Sequence, residues 1–177
     1  MLTLVTGASA SGKSEYAEGL AATAGGRLCY IATMQPSGNS DTEFAQRVAR
    51  HREQRNGKGF ETLECPTQLA QLNASAYDTA LLECLSNLAA NELYAGAGEN
   101  TLEEILEGVR GLCKQCKNVI VVTNEVFAGS ACYDEFTEKY LCVLGELNCK
   151  LSAMAHCVVE VVYTLPVMLK NEEGEGQ

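Results

Sequence analysis

A glycine-rich segment close to the start of the chain constrains the fold more than any other feature. Residues 7–14, Gly-Ala-Ser-Ala-Ser-Gly-Lys-Ser, match the pattern G-x-x-x-x-G-K-[ST] at every fixed position. The glycines and small residues let the backbone wrap closely around a phosphate, and the helix that follows aims the positive end of its dipole at the same anion. The segment therefore predicts a phosphate-binding loop between a strand and a helix.

The residues of this loop have separate predicted roles. Six residues form the turn and offer backbone N–H groups to the phosphates: Gly7, Ala8, Ser9, Ala10, Ser11 and Gly12. Lys13 is expected to reach the β- and γ-phosphates, and the Ser14 hydroxyl is expected to join the shell of a Mg²⁺ ion. Average composition produces this pattern in fewer than about one chain in a hundred of this length, so we interpret it as a nucleotide site.

Apolar runs alternate with helical patterns along the rest of the chain. The predicted strands cover residues 2–6, 27–33, 77–84, 118–126 and 157–165, and the predicted helices cover 13–24, 41–54, 85–94, 101–116 and 133–155. Continuous Val, Ile and Leu strands separated by helices indicate an α/β fold of the P-loop NTPase class, with a mostly parallel sheet and helices on both faces. We expect one domain over residues 1–170 and a disordered acidic tail over 171–177.

Local patterns refine two of these helices. Thr101 with Glu104 three residues later predicts a capping box. Cys113 and Cys116 fall on the apolar stripe of that helix, so we interpret them as core residues, since a lone Cys-x-x-Cys lacks the second pair of ligands that structural zinc usually takes. In the last helix six residues are expected to share one face: Phe136, Tyr140, Leu144, Leu147, Leu151 and Met154.

Charge and hydropathy exclude several classes of partner. The net charge is −10, so no basic excess exists to displace counterions from a nucleic acid. No apolar run approaches the roughly 20 residues that span a membrane, and the first residues lack the pattern of a secretory signal. We therefore expect a cytoplasmic protein without a membrane span, whose nine cysteines are reduced thiols.

Arginine is concentrated in one predicted helix. The segment "RVARHREQR", residues 47–55, also contains one of the two histidines, His51. One interpretation is a solvated basic face; the other is a triphosphate site, in which neighbouring positive charges keep the imidazole neutral and available as a nucleophile. His156 matches no motif and is interpreted as structural.

Seven segments, taken in order, resemble the bifunctional adenosylcobinamide kinase / adenosylcobinamide-phosphate guanylyltransferase family of cobalamin biosynthesis. They are "TGASASGKSEYAE", "YIAT", "DTEFAQRVARHREQR", "TLECP", "ALLECLSNL", "VVTNEV" and "LGELNCKL". The resemblance runs from residue 2 to about residue 170. It departs from the family at Ala8 and Ala10, where the family has a glycine and an arginine, and after Val126, in the part expected to face the corrinoid.

This resemblance implies two reactions. ATP or GTP phosphorylates the aminopropanol hydroxyl of adenosylcobinamide, and GMP from GTP is then transferred to that phosphate through a GMP–histidine intermediate, with release of pyrophosphate. It implies that His51 is guanylylated, that Lys13 is catalytic, and that the enzyme is a homotrimer with sites between subunits. The implied nucleotide contacts beyond the loop are Ala32, Thr33, Met34, Arg52, Glu53, Gln54, Arg55, Glu64 and Glu83.

Two other functions stay open from the residues themselves, because a phosphate loop does not choose a reaction. The first is a small-molecule kinase with another acceptor, in which the histidine helix only binds substrate phosphate. The second is a non-catalytic nucleotide-binding regulator or assembly subunit.

Overall fold

A seven-stranded β-sheet organises the structure, a computed structural model that describes residues 1–35, 57–126 and 132–172. Its strands are β1 (Leu2–Thr6), β2 (Leu28–Ala32), β3 (Phe60–Glu64), β4 (Thr79–Glu83), β5 (Asn118–Val122), β6 (Cys157–Val162) and β7 (Leu165–Asn171). They lie in the order β3-β2-β4-β5-β1-β6-β7, and every neighbouring pair is parallel except the antiparallel β6–β7 hairpin. The predicted mostly parallel α/β fold is confirmed.

Helices cover both faces of this sheet. Four α-helices lie in the described ranges: α1 (Lys13–Ala24), α2 (Leu85–Ala95), α3 (Thr101–Gln115) and α4 (Glu135–Met154). Successive strand residues point to opposite faces, so Val5 packs in the α1 core, whereas its neighbour Leu4 packs in the core under α2, α3 and α4. Ala17 and Ala21 are fully buried on α1, and their small side chains let this helix approach the sheet closely. The predicted helix over 41–54 lies outside the described residues.

The predicted capping box at the start of α3 is wrong. Asn100 is the N-cap and makes no side-chain cap hydrogen bond, while Thr101 is the first helical residue. A short 3₁₀ turn, Gly98–Asn100, precedes the helix, and Thr101 Oγ1 donates backwards to Gly98 O over 2.6 Å. The hydroxyl therefore binds a carbonyl group of the preceding turn instead of capping the free N–H groups of the helix.

The two cysteines of α3 differ in their surroundings. Cys116 follows the helix as its C-cap, is buried and donates to Ala74 O over 3.5 Å, as expected of a core residue. Cys113 is exposed, so its prediction as a core residue is wrong. It lies outside the buried face of α3, to which Val109 and Leu112 belong.

The apolar face of α4 is shorter than predicted. Leu144, Leu147 and Leu151 are buried, but Phe136 is 72% exposed and lies in the first turn, where its ring meets Tyr94 instead of the core. The helix begins at Glu135 because the Asp134 side chain accepts a hydrogen bond from Thr137 N over 2.8 Å.

The predicted last strand is two strands. β6 ends at Val162, and β7 returns antiparallel to it through a turn at Tyr163 and Thr164, whose φ angles are +49° and +68°. Neither residue is the Asn or Gly that favours such a turn, so the sequence gives no hairpin signal there. β7 reaches Asn171, and Glu172 N donates to His156 O over 2.9 Å.

Packing between α3 and the 3₁₀ turn at Leu69 generates a stability prediction. A Cβ at Gly108 would lie 2.7 Å from Leu69 Cβ and Cγ, so Gly108→Ala should lower the free energy of unfolding by about 1–3 kcal/mol through overpacking. Gly111→Ala in the same helix is the control: within the described part of the chain its Cβ meets only Gln115 Nε2, at 4.0 Å, and the change should stabilise by up to about 1 kcal/mol. Urea unfolding measures both, and equal effects would contradict the packing argument.

Candidate active site

The phosphate loop, residues 7–12, leaves the carboxyl end of β1 and leads into α1. Its two glycines are required by their neighbours. A Cβ at Gly7 would lie 2.6 Å from Val161 O, and one at Gly12, where φ is +91°, would lie 3.0 Å from Thr164 Cγ2. The β6–β7 hairpin therefore occupies the space that larger residues would need.

Backbone hydrogen bonds hold the loop from both sides. Thr164 N donates to Ser11 O over 2.8 Å from the hairpin turn, and Glu125 N donates to Gly7 O over 3.1 Å from the segment after β5. The buried Ser11 Oγ has no hydrogen-bond partner among the described residues. The segments that follow β5 and β6, the two neighbours of β1, therefore hold the loop in place without a bound ligand.

Lys13 is buried beside this loop. The residue is 8% exposed, and its Nζ donates to Ala8 O over 3.0 Å. Burial lowers the pKa of Lys13, while the nearby Cys84 and Glu83 act in the opposite direction. Little solvent competes for this ammonium group, which increases the strength with which it can bind a phosphate oxygen.

Ser14 connects the phosphate loop to β4. Its Oγ donates to Glu83 Oε1, and Glu83 is the last residue of β4. The strand registers align Glu83 with Ala32 on β2, and Ala32 with Glu64 on β3. Three of the nucleotide positions implied by the family resemblance therefore lie side by side at the carboxyl ends of their strands.

Thr33, another of those positions, forms hydrogen bonds within the protein. It is fully buried, and its Oγ1 donates to Cys84 O over 2.9 Å and accepts from Cys84 N over 2.8 Å. Its carbonyl accepts from Asn91 Nδ2 over 2.8 Å. In this structure Thr33 fixes the backbone that follows Glu83, while Met34 beside it is half-buried.

An ion pair between a buried carboxylate and an exposed lysine anchors α1 on the opposite flank. Glu18 is 1% exposed, one turn after Ser14, and its Oε2 lies 2.5 Å from Lys58 Nζ. Lys58 belongs to the turn before β3. Because Glu18 is buried, loss of Lys58 would leave this carboxylate without its cationic partner, so the contact ties the turn to the phosphate-loop helix.

Sequence reasoning missed a polar cluster beside the loop. Asn124 Nδ2 donates to Ser86 Oγ over 2.6 Å, and the Cys84 thiol lies 3.0 Å from the same hydroxyl. Burial raises the pKa of Cys84. The two segments that meet here, "ECLSN" and "TNEV", are far apart in the sequence. Their contact follows only from the strand order, in which β4 and β5 are neighbours.

The remaining predicted site residues cannot be placed with this set. His51, Arg52, Glu53, Gln54 and Arg55 lie outside the described residues. His156 lies before β6, and its Nδ1 accepts a hydrogen bond from Leu2 N over 3.1 Å. This bond is at the amino end of β1, away from the phosphate loop, and fits the structural role predicted for His156.

The fold and the loop define a P-loop nucleotide-binding protein. Two solved structures share the fold: the flagellar accessory protein FlaH from Methanocaldococcus jannaschii (TM-score 0.56, 13% identity, 99% of this chain and 80% of that chain) and the KaiC-like protein PH0186 from Pyrococcus horikoshii (TM-score 0.51, 12% identity, 97% and 79%). At these identities the likeness extends to the fold alone.

The particular family follows from the sequence comparisons. The family model described as cobinamide kinase / cobinamide phosphate guanyltransferase matches residues 3–169. The bifunctional adenosylcobalamin biosynthesis protein CobU of Salmonella typhimurium is 32% identical, over 96% of this chain and 100% of its own length. CobP of Pseudomonas aeruginosa, which carries the same description, is 32% identical over 97% and 99%. The chain belongs to this family, as its motifs predicted.

None of the helices that the structure describes is both long enough and apolar enough to cross a bilayer.

The tight fit of the loop generates a binding prediction. Gly12→Ala places a side chain at positive φ against Thr164, which strains the backbone of the loop by about 1–3 kcal/mol. The loop relieves this strain by moving its N–H groups. We expect triphosphate affinity, measured by calorimetry, to fall roughly tenfold or more. Gly19→Ala in α1, where a Cβ meets none of the described residues within 4 Å, should leave affinity unchanged. Equal affinities for the two variants would show that the loop tolerates a side chain at Gly12.

Proposed function

We propose that this protein phosphorylates adenosylcobinamide with ATP or GTP and then transfers GMP from GTP to adenosylcobinamide phosphate. The products are adenosylcobinamide-GDP and pyrophosphate. The observation that carries the proposal is the contact of Ser14, in an intact phosphate loop, with Glu83 at the end of β4, in a member of the cobinamide kinase family. Both reactions use a nucleoside triphosphate, and we propose that they take place in the cytoplasm, where ATP and GTP are available.

The residues around the loop fit the needs of phosphoryl transfer. Lys13 can neutralise charge on the transferring phosphoryl group, and the loop N–H groups can bind its oxygens without reorganisation. The Ser14 hydroxyl and the Glu83 carboxylate are oxygen donors of the kind that Mg²⁺ prefers, and their direct contact brings both to one point. When bound there, the ion would offset negative charge on the phosphates.

Guanylyl transfer needs a nucleophile, and we propose His51 for this role. Direct attack of one phosphate on another is slow because the two anions repel each other. A neutral imidazole avoids that repulsion and divides the transfer into two easier displacements. Arg52 and Arg55 would stabilise charge on the α-phosphate and on the departing pyrophosphate, with Glu53 and Gln54 as further nucleotide contacts.

The nucleophile can be tested by labelling. Wild-type protein incubated with α-labelled GTP and Mg²⁺ should acquire a phosphoramidate label that is labile in acid and stable in base. His51→Ala should abolish the label. The matched control is His156→Gln, which alters the only other histidine and should retain the label.

Each other outcome selects an alternative. Phosphorylation of adenosylcobinamide without any protein label would indicate a kinase that lacks the second activity. Triphosphate binding without either reaction would indicate a nucleotide-binding regulator. Label that persists in His51→Ala would place the nucleophile elsewhere.

We also propose that the protein is a homotrimer, as the family resemblance implies. The β7 edge of the sheet supports this proposal. Leu165 is 68% exposed and Leu169 is 58% exposed on a seven-residue strand at the end of the sheet, where such apolar edges invite further pairing. The hairpin turn beside this edge contacts the phosphate loop, so a subunit bound there would lie near the nucleotide site.

The edge can be tested by light scattering with size exclusion. The wild-type mass should be three times 19.0 kDa. Leu165→Glu combined with Leu169→Glu should give the monomer mass, because two charges would be buried at the contact. Thr62→Glu, an exposed position on the opposite edge strand β3, should remain trimeric. A trimeric double variant would place the interface elsewhere.

A further inference from the structure

Asn124 occupies a central position that neither the loop motif nor the family comparison assigns. β5 lies between β4 and β1, so the residue two places beyond its end lies between Glu83 and the phosphate loop. The backbone on either side of Asn124 is fixed. Thr123 N donates to Val5 O over 2.9 Å, and Glu125 N donates to Gly7 O over 3.1 Å. The position of Asn124 therefore follows that of the loop.

The amide of Asn124 is oriented by a buried partner. Its Nδ2 donates to Ser86 Oγ over 2.6 Å, and Ser86 is 4% exposed at the start of α2. Asn124 itself is half-buried, and none of the described residues donates a hydrogen bond to its Oδ1. Among the described residues, the amide nitrogen of Asn124 thus contacts Ser86 Oγ and, over 4.0 Å, Cys84 Sγ, while its Oδ1 is left as an acceptor.

This orientation selects the kind of group that Asn124 can bind. A carbonyl oxygen repels phosphate oxygens and binds either a hydrogen-bond donor or a cation. Because Ser14 and Glu83 are proposed for the cation, we assign a hydrogen-bond donor to Asn124. In the kinase reaction that donor is the hydroxyl of adenosylcobinamide, which has to approach the γ-phosphate. In guanylyl transfer the acceptor is already a phosphate and offers no equivalent hydroxyl.

The geometry points to Asn124 as the residue that positions the acceptor hydroxyl for the kinase reaction, with Ser86 holding its amide. This inference rests on the proposed function. The hydroxyl oxygen forms a bond to the γ-phosphorus, and the bond from that phosphorus to the bridging oxygen breaks, with its electron pair leaving on the nucleoside diphosphate. The hydroxyl proton passes to bulk water as the new bond forms, because a carboxamide binds the hydroxyl without taking its proton.

The test compares the two reactions in the same variants. Asn124→Ala should lower kcat of adenosylcobinamide phosphorylation roughly 100-fold, the scale of a misplaced reactant, with KM for ATP within about threefold of wild type. Transfer of GMP to preformed adenosylcobinamide phosphate should stay within about threefold. Ser86→Ala should lower the kinase kcat by about tenfold, because the amide loses the bond that orients it.

The control is Asn118→Ala, at the opposite end of β5, where Thr79 Oγ1, over 3.4 Å, is the one side-chain partner among the described residues. Both of its reactions should match wild type. Equal losses of both reactions in Asn124→Ala, or a kinase kcat equal to wild type, would overturn the positioning role. Those results leave the proposed function standing, whereas a wild type that phosphorylates no adenosylcobinamide would remove the proposed function itself.

Discussion

The close approach between the phosphate loop and the β6–β7 hairpin determines the rest of the site. Val161 O and Thr164 lie where side chains at Gly7 and Gly12 would otherwise project, so the loop can adopt its path only without Cβ atoms there. α1 begins immediately after Gly12, at Lys13. The direction of the helix, the burial of Lys13 and the reach of Ser14 therefore all depend on one backbone turn that the hairpin supports.

A second set of contacts fixes the acidic side of the site. Asn91 Nδ2 donates both to Thr33 O over 2.8 Å and to Pro66 O over 2.9 Å, and Thr33 in turn binds both backbone groups of Cys84. The ends of β2, β3 and β4 are thereby joined through α2. Each such bond contributes only about 0.5–1.5 kcal/mol to stability. Their main effect is to fix the position of Glu83 relative to the loop.

The sequence predicts those parts of the fold that depend on local patterns. The buried strands are continuous apolar runs, and the loop motif is complete, so β1, α1 and the α/β class follow directly. Features set by tertiary contacts are not predictable in this way. The hairpin turn at Tyr163 and Thr164 lacks the usual turn residues, and Phe136 continues a helical stripe but lies beyond the core that the stripe covers.

The site shows the same division between local and distant information. The phosphate-loop motif from Gly7 to Ser14 could be found from the sequence because its spacing is local. The role proposed for Asn124 could not be predicted in this way, since it depends on the position of β5 between β1 and β4 in the sheet. Parallel strands bring their carboxyl ends to one edge, so residues far apart in the chain become neighbours there.

The strand order also explains why Ser14 and Glu83 meet. One whole strand, β5, separates β1 from β4, and neighbouring strands are about 4.8 Å apart, so the two strand ends lie about 10 Å from each other. No short side chain on β1 spans that gap. α1 crosses the same face at its first turn and delivers the Ser14 hydroxyl directly to the carboxylate. The contact therefore requires the loop, the helix and the order of the strands together, and a rearrangement of any one of them would separate the two oxygen donors.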